Sequence, residues 1–207
     1  MTGLLRKDLL YLKRQGKFLL VIFAFYAVLS FLSDDGIEHF NSIFITLIAM
    51  LPTVVIVNSF AYDELSKWNT YALSLPITKG TLAFSKYLLS FSLILLTALI
   101  PFLANLLSGS LSEETGLTIY AASGAALLLC EILIPLFYRF GTQKARFALL
   151  VVVLIPTLGA YLLKQARFAA PSDAQILFLL KISPVFLVIF SVVSYYISCK
   201  ILDNKEN

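Results

Sequence analysis

Apolar residues fall into six long runs, at about 18–33, 40–61, 87–108, 117–138, 147–163 and 176–199, and the segments between them hold nearly all of the charge. A helix of roughly 20 apolar residues crosses the hydrocarbon core of a bilayer, so the pattern predicts six transmembrane helices in a single domain, 1–207. The first and fifth runs are short and need flanking residues to complete a crossing. Basic residues precede the first run, as in a signal peptide, yet Phe31-Leu32-Ser33-Asp34 offers no small-residue cleavage site, and the run reads as a retained helix. Runs two to six each hold one proline, Pro52, Pro101, Pro135, Pro156 and Pro184. A proline removes a backbone hydrogen bond and kinks the axis, which can shape a gated pathway, although prolines are also common in transmembrane helices generally.

Ahead of the first run, residues 1–17 follow the helical period. Leu4, Leu5, Leu9, Tyr11 and Leu12 share one arc of a helical wheel, and Arg6, Lys7, Lys13, Arg14 and Lys17 share an arc of about 120° opposite. An N-terminal amphipathic interfacial helix is expected, with its basic face toward anionic lipid and Gly16 turning the chain into the bilayer. The same residues also fit an ordinary basic flank.

The connection at 62–86 is unlike a plain linker. Asp63 and Glu64 suit a helix start, Glu64 can meet Lys67 or Trp68 one turn on, and Pro76 sets a stop. The short helix so predicted displays Leu65, Trp68, Tyr71, Leu73 and Leu75 near water, either as interface anchors or as aromatics resting on the membrane. A second, smaller polar face follows the fourth run, where Gly141 suits a helix C-cap and Arg139, Lys144 and Arg146 favour the negative end of the helix dipole.

Composition places this pattern in lipid. The chain is 59% apolar and 14% charged, with a mean hydropathy of +0.89, whereas soluble domains carry about 25% charged residues. The net charge of +4 therefore faces headgroups and not nucleic acid. Lys and Arg divide unequally between the two sides. Arg6, Lys7, Lys13, Arg14, Lys17, Lys67, Lys79, Lys86, Arg139, Lys144, Arg146, Lys200 and Lys205 lie on one side, and only Lys164, Arg167 and Lys181 on the other. The excess marks the cytoplasm, so both termini are expected inside. Cys130 and Cys199 form neither a CxxC pair nor a disulfide framework.

No catalytic residues or metal ligands are expected. The chain lacks a GxxxxGK[ST] phosphate loop, and its single histidine, His39, stands at the edge of the second run without a zinc motif. Glu131 is the exception to a bland interior, because a carboxylate at membrane depth is a functional candidate by default. It can line a path, carry a proton, or serve assembly by bonding Asn58 or Asn105.

Several segments together carry a family likeness: Leu5-Arg6-Lys7-Asp8-Leu9, Tyr62-Asp63-Glu64 with Lys67-Trp68, Tyr71-Ala72-Leu73-Ser74-Leu75-Pro76, Ser85-Lys86-Tyr87, and Pro135 through Arg146. In their order and spacing the sequence resembles the small six-span permease subunits of ABC-2 type ATP-binding cassette exporters, a group that includes bacterial peptide and toxin exporters. The resemblance implies a multi-pass protein of the bacterial cell membrane whose first inner loop forms a coupling helix. Asp63, Glu64, Lys67, Trp68, Tyr71, Leu75 and Pro76 would then dock a cytoplasmic ABC ATPase, which holds the ATP and Mg while this chain holds no cofactor. Six spans without a second half call for a second permease chain, in a homodimer or heterodimer. Unlike larger relatives, the chain has no sizeable outer domain. Two other readings stay open: a proton-coupled secondary transporter using Glu131, and a non-transporting membrane anchor or immunity subunit.

Overall fold

Long apolar runs with few charged residues leave the backbone one way to satisfy its hydrogen bonds in lipid, within a helix. The computed structural model describes residues 36–73, 78–165 and 173–204, together with Gly3, Leu4, Lys7, Asp8, Leu10, Val21, Phe25 and Val28. Among these residues all regular structure is helical: α1 Gly36–Leu65, α2 Trp68–Leu73, α3 Lys79–Leu107, α4 Glu113–Gln165 and α5 Asp173–Asn204.

Four stretches are long and apolar enough to cross a membrane, Phe40–Leu65, Lys79–Leu107, Glu113–Ala145 and Leu179–Asn204. They carry the second, third, fourth and sixth predicted runs. Most of the first run lies outside the described residues, where only Val21, Phe25 and Val28 are seen, all exposed. The fifth lies in the continuation of α4, as the shorter apolar helix Phe147–Gly159. Gly3, Leu4, Lys7, Asp8 and Leu10 are helical, and the rest of the expected amphipathic helix, with Arg6, Lys13, Arg14 and Lys17, lies outside the described residues.

Local chemistry sets the ends. α1 closes where Lys67 takes a positive φ of 50° and donates its N–H to Glu64 O at 3.1 Å, while Ser66 Oγ bonds Tyr62 O at 2.8 Å. α3 is capped by Thr78, whose backbone is extended and whose hydroxyl accepts the Thr81 N–H at 3.3 Å. Gly141 breaks α4 with φ 75° and ψ 174°. This lies beyond the left-handed helical conformation of the expected C-cap, in a region open essentially to glycine alone.

The core is one large cluster beside a small one of Leu4, Ala72 and Leu82. Ile48, Leu51, Val55, Ile56 and Phe60 recur at three- and four-residue spacing along α1 and meet Leu89, Leu93 and Ile94 of α3 and Cys130, Leu133, Ile134 and Phe137 of α4. α1 packs on both α3 and α4, and α4 packs on α5. The most apolar window is 33% buried in the first three spans but 11% buried in α5, so the last helix keeps most of its apolar surface outside the bundle.

Candidate functional site

One end of the bundle gathers the start of the chain, the end of α1, α2, the start of α3, the Gly141 break and the end of α5. Asn41 and Asn105 sit together at the other end. This grouping is the one the charge pattern places on a single side.

At the first end four charges meet, three of them buried and the fourth, Lys7, partly exposed. Asp63 Oδ1 receives Lys7 Nζ at 2.5 Å, and Asp63 Oδ2 receives Lys86 Nζ at 2.7 Å. Lys86 Nζ also reaches Asp8 Oδ1 at 3.2 Å and Ser59 Oγ at 2.5 Å, and Lys7 Nζ lies 3.4 Å from Asp8 Oδ1. Asp8, Asp63 and Lys86 are 2%, 3% and 4% exposed. Ions withdrawn this far from water are tolerated only when paired and hydrogen-bonded, and here two cations face two carboxylates. Ser59, Phe60 and Asp63 share one face because they lie three and four residues apart. Aromatic rings cover the cations, with Lys7 4.5 Å from the Trp68 ring centre and Lys86 5.2 Å from that of Phe60. The space left among Lys7, Asp63, Trp68, Lys86 and Tyr138 is about 10 Å³.

A second junction lies beside it. The backbone N–H of Thr142 donates to Glu64 Oε2 at 2.9 Å, and the Thr142 hydroxyl donates to the same oxygen. Glu64 thus caps the helix that resumes after Gly141. Its Oε1 would stand 3.4 Å from a Cβ added at Gly141.

The docking residues expected from sequence therefore divide. Asp63 and Glu64 belong to the last turn of α1, not the first turn of the surface helix, because their carboxylates meet Lys7, Lys86 and Thr142 across the bundle. Trp68 is half-buried against Leu4, Ala72 and Leu82. Leu65, Lys67 and Tyr71 stay outward, with Leu65 85% and Tyr71 59% exposed. Leu75 and Pro76 lie outside the described residues. Lys7, expected at the lipid surface, instead points into the ion cluster, since a partnered carboxylate is available one side chain away. Arg139 and Lys144 are exposed as expected, and the side chain of Arg146 lies outside the described residues. The sequence places Lys86 among the inside cations and Asp8 and Lys86 within family-like segments, but marks neither of them, nor Ser59, as a site residue. A single acid inside the basic N-terminal stretch and a lysine at the mouth of an apolar run were the available signals.

Deeper in the bundle, Glu131 is buried and its Oε1 accepts from Ser191 Oγ, while Ser194 Oγ donates to the Glu131 carbonyl at 2.5 Å. Tyr87 Oη hydrogen-bonds with Ser194 at 2.6 Å and Ser198 at 2.8 Å. Asn105 bonds Asn41 at 2.6 Å and the Pro101 carbonyl at 2.7 Å, so it is not the partner of Glu131. Asn58 is half-buried on α1. An apolar groove of about 410 Å³ runs between α3 and α4, lined by Phe91, Leu95, Phe102, Ile119, Tyr120 and neighbours. Among the described residues no three His, Cys, Asp or Glu side chains gather as a metal site would require.

Apolar spans with a charged junction buried at one end define a polytopic membrane protein whose polar work is concentrated on one side. Residues 3–203 match a family model described as ABC-2 family transporter protein, and the chain belongs to that family. It is the membrane component of an ABC transporter, a role that implies pairing with an ABC ATPase subunit. No curated protein and no solved structure matches the chain.

Proposed function

We propose that the chain is the permease subunit of an ATP-driven exporter and moves a peptide, toxin or other amphipathic substrate out of the cell. The observation that carries this reading is the placement of α2. It leaves Leu65, Lys67 and Tyr71 outward at the end of the bundle to which the Lys and Arg excess assigns the cytoplasm, while Asp63, two residues before Leu65, is held by Lys86 of α3. A partner pressing on this ledge pushes directly on two membrane-spanning helices. ATP and Mg bind to that partner, and this chain contributes no hydrolytic chemistry.

The weakly buried α5, with Val185, Phe186, Val188, Ile189 and Val192 outward, supports pairing with a second permease chain in the bilayer. The reading places both termini in the cytoplasm of a bacterial cell.

The test is co-expression with the candidate ABC ATPase subunits of the same organism and co-purification of the pair. Leu65→Asp and Tyr71→Asp are expected to release the ATPase while leaving the permease in the membrane, because each puts a charge into an apolar contact. Undiminished co-purification of both variants would remove the docking assignment. Labelling of Lys67→Cys by an impermeant thiol reagent from outside intact cells would remove the orientation.

A further inference from the structure

The four clustered charges come from three segments far apart in sequence. Lys7 and Asp8 precede the first apolar run, Asp63 ends α1, and Lys86 lies about two turns into α3. Lys86 is the hub. Its ammonium has three donors, and three acceptors surround it, Asp63 Oδ2 at 2.7 Å, Asp8 Oδ1 at 3.2 Å and Ser59 Oγ at 2.5 Å. Lys7 holds the other oxygen of Asp63 and lies over the ring of Trp68, the first residue of α2. Contacts therefore run without a gap from Asp8 through Lys86, Asp63 and Lys7 to the indole. A parallel apolar contact joins the same segments, for Leu4 packs with Ala72 of α2 and Leu82 of α3, and Trp68 lies against them.

We infer that Lys86 is a positioning residue that clamps the N-terminal segment and α2 to the base of α3, so that the three move as one body. α2 cannot swing away alone without taking the Trp68 ring off Lys7 and opening the water side of the ion cluster. The partly exposed Lys7 closes the cluster on the water side, and the enclosed Lys86 fixes it from within. For transport the consequence rests on the permease reading: the body that receives the ATPase includes the start of the chain as well as α2.

Trp68 is the only tryptophan of the sequence, which makes it a reporter by itself. Lys86→Gln and Asp8→Asn each break the chain of contacts at a point other than the indole. In both, Trp68 emission is expected to move to longer wavelength and acrylamide quenching to rise roughly twofold, as the ring face now covered by Lys7 gains solvent. Circular dichroism identifies a variant that has lost its helices, and the milder Asp8→Asn then decides. Emission and quenching equal to wild type in both variants would overturn the clamp.

In liposomes with a candidate ABC ATPase of the same organism, both variants are expected to retain the ATPase but to lower permease-dependent stimulation of hydrolysis roughly tenfold, the size of a typical coupling between sites. Unchanged stimulation would overturn the coupling role. Failure of the wild-type chain to bind that ATPase would instead overturn the permease reading, because the fluorescence measurement decides the clamp without any partner.

Discussion

Glu64 and Thr142, 78 residues apart, share a single carboxylate oxygen: Glu64 Oε2 accepts both the backbone N–H of Thr142, at 2.9 Å, and its hydroxyl. The contact joins the end of α1 to the helix that resumes beyond Gly141, and so ties the two polar faces at this end of the bundle. An N-terminal amide has no partner within its own helix, and Glu64 supplies one from another element. Glu64→Ala is expected to cost about 1 kcal/mol, the usual loss of a cap, and Glu64→Gln less because an acceptor remains. The unfolding midpoint of the detergent-solubilised chain measures both.

Gly141 supports the same junction by a different route. Its φ of 75° with ψ of 174° is strained for any residue bearing a Cβ, and an added Cβ would meet Glu64 Oε1 at 3.4 Å. Gly141→Ala is expected to destabilise by about 1–3 kcal/mol, more than Glu64→Ala. Combined with Glu64→Ala it is expected to cost less than the sum, because the two changes act on one contact. Additive losses would show that backbone strain alone makes glycine necessary.

Much of this architecture was legible in the sequence. Spans built from residues such as Ile48 through Phe60 are visible because apolar length decides the outcome in lipid, whereas of the surface helix expected between Asp63 and Pro76 only Trp68–Leu73 forms among the described residues. What the sequence concealed was partnership. Asp63 and Glu64 look like the start of a helix because acidic residues favour that position, but interactions across the bundle outweigh a dipole effect of about 0.3–1 kcal/mol at an exposed end, and α1 simply continues through them. Lys7 looks like a lipid-facing cation because a helical wheel takes no account of a carboxylate 56 residues away. Glu131 and Asn105 stand out as polar groups in lipid, yet their partners are Ser191 and Asn41, and pairing of that kind leaves no local spacing to read.

The buried ion cluster makes a sharper stability prediction than any cap. Removing Lys86 leaves two carboxylates facing Lys7 alone, and breaking a buried pair from one side costs about 3–5 kcal/mol. Lys86→Met is therefore expected to lower the unfolding midpoint more than either Glu64→Ala or Gly141→Ala. Adding Asp8→Asn to Lys86→Met restores neutrality and is expected to recover part of the loss. A double variant less stable than Lys86→Met would mean that Asp8 is held chiefly by groups other than Lys86.

At the opposite end, Asn41 and Asn105 exchange hydrogen bonds at 2.6 and 3.1 Å between α1 and α3. Side-chain hydrogen bonds between membrane helices contribute about 0.6–2 kcal/mol. Asn41→Ala is expected to cost an amount in that range. Asn105→Ala should cost more, because Asn105 also serves the Pro101 carbonyl and Ser110. A double-mutant cycle on the pair should return a coupling of the same order as the single Asn41 loss.

Glu131 distinguishes an assembly role from proton transport. Its Oε1 accepts from Ser191, and its backbone carbonyl accepts from Ser194. Glutamine offers an acceptor of the same reach, and the Ser194 bond does not involve the side chain at all. Glu131→Gln is therefore expected to change stability by less than about 1 kcal/mol and to leave permease-dependent ATP hydrolysis at the wild-type rate. In liposomes holding the chain and a trapped pH-sensitive dye, wild type and Glu131→Gln are expected to admit protons equally. Faster proton movement in wild type, abolished by Glu131→Gln, would assign the carboxylate to proton coupling instead of to the packing of α5 against α4.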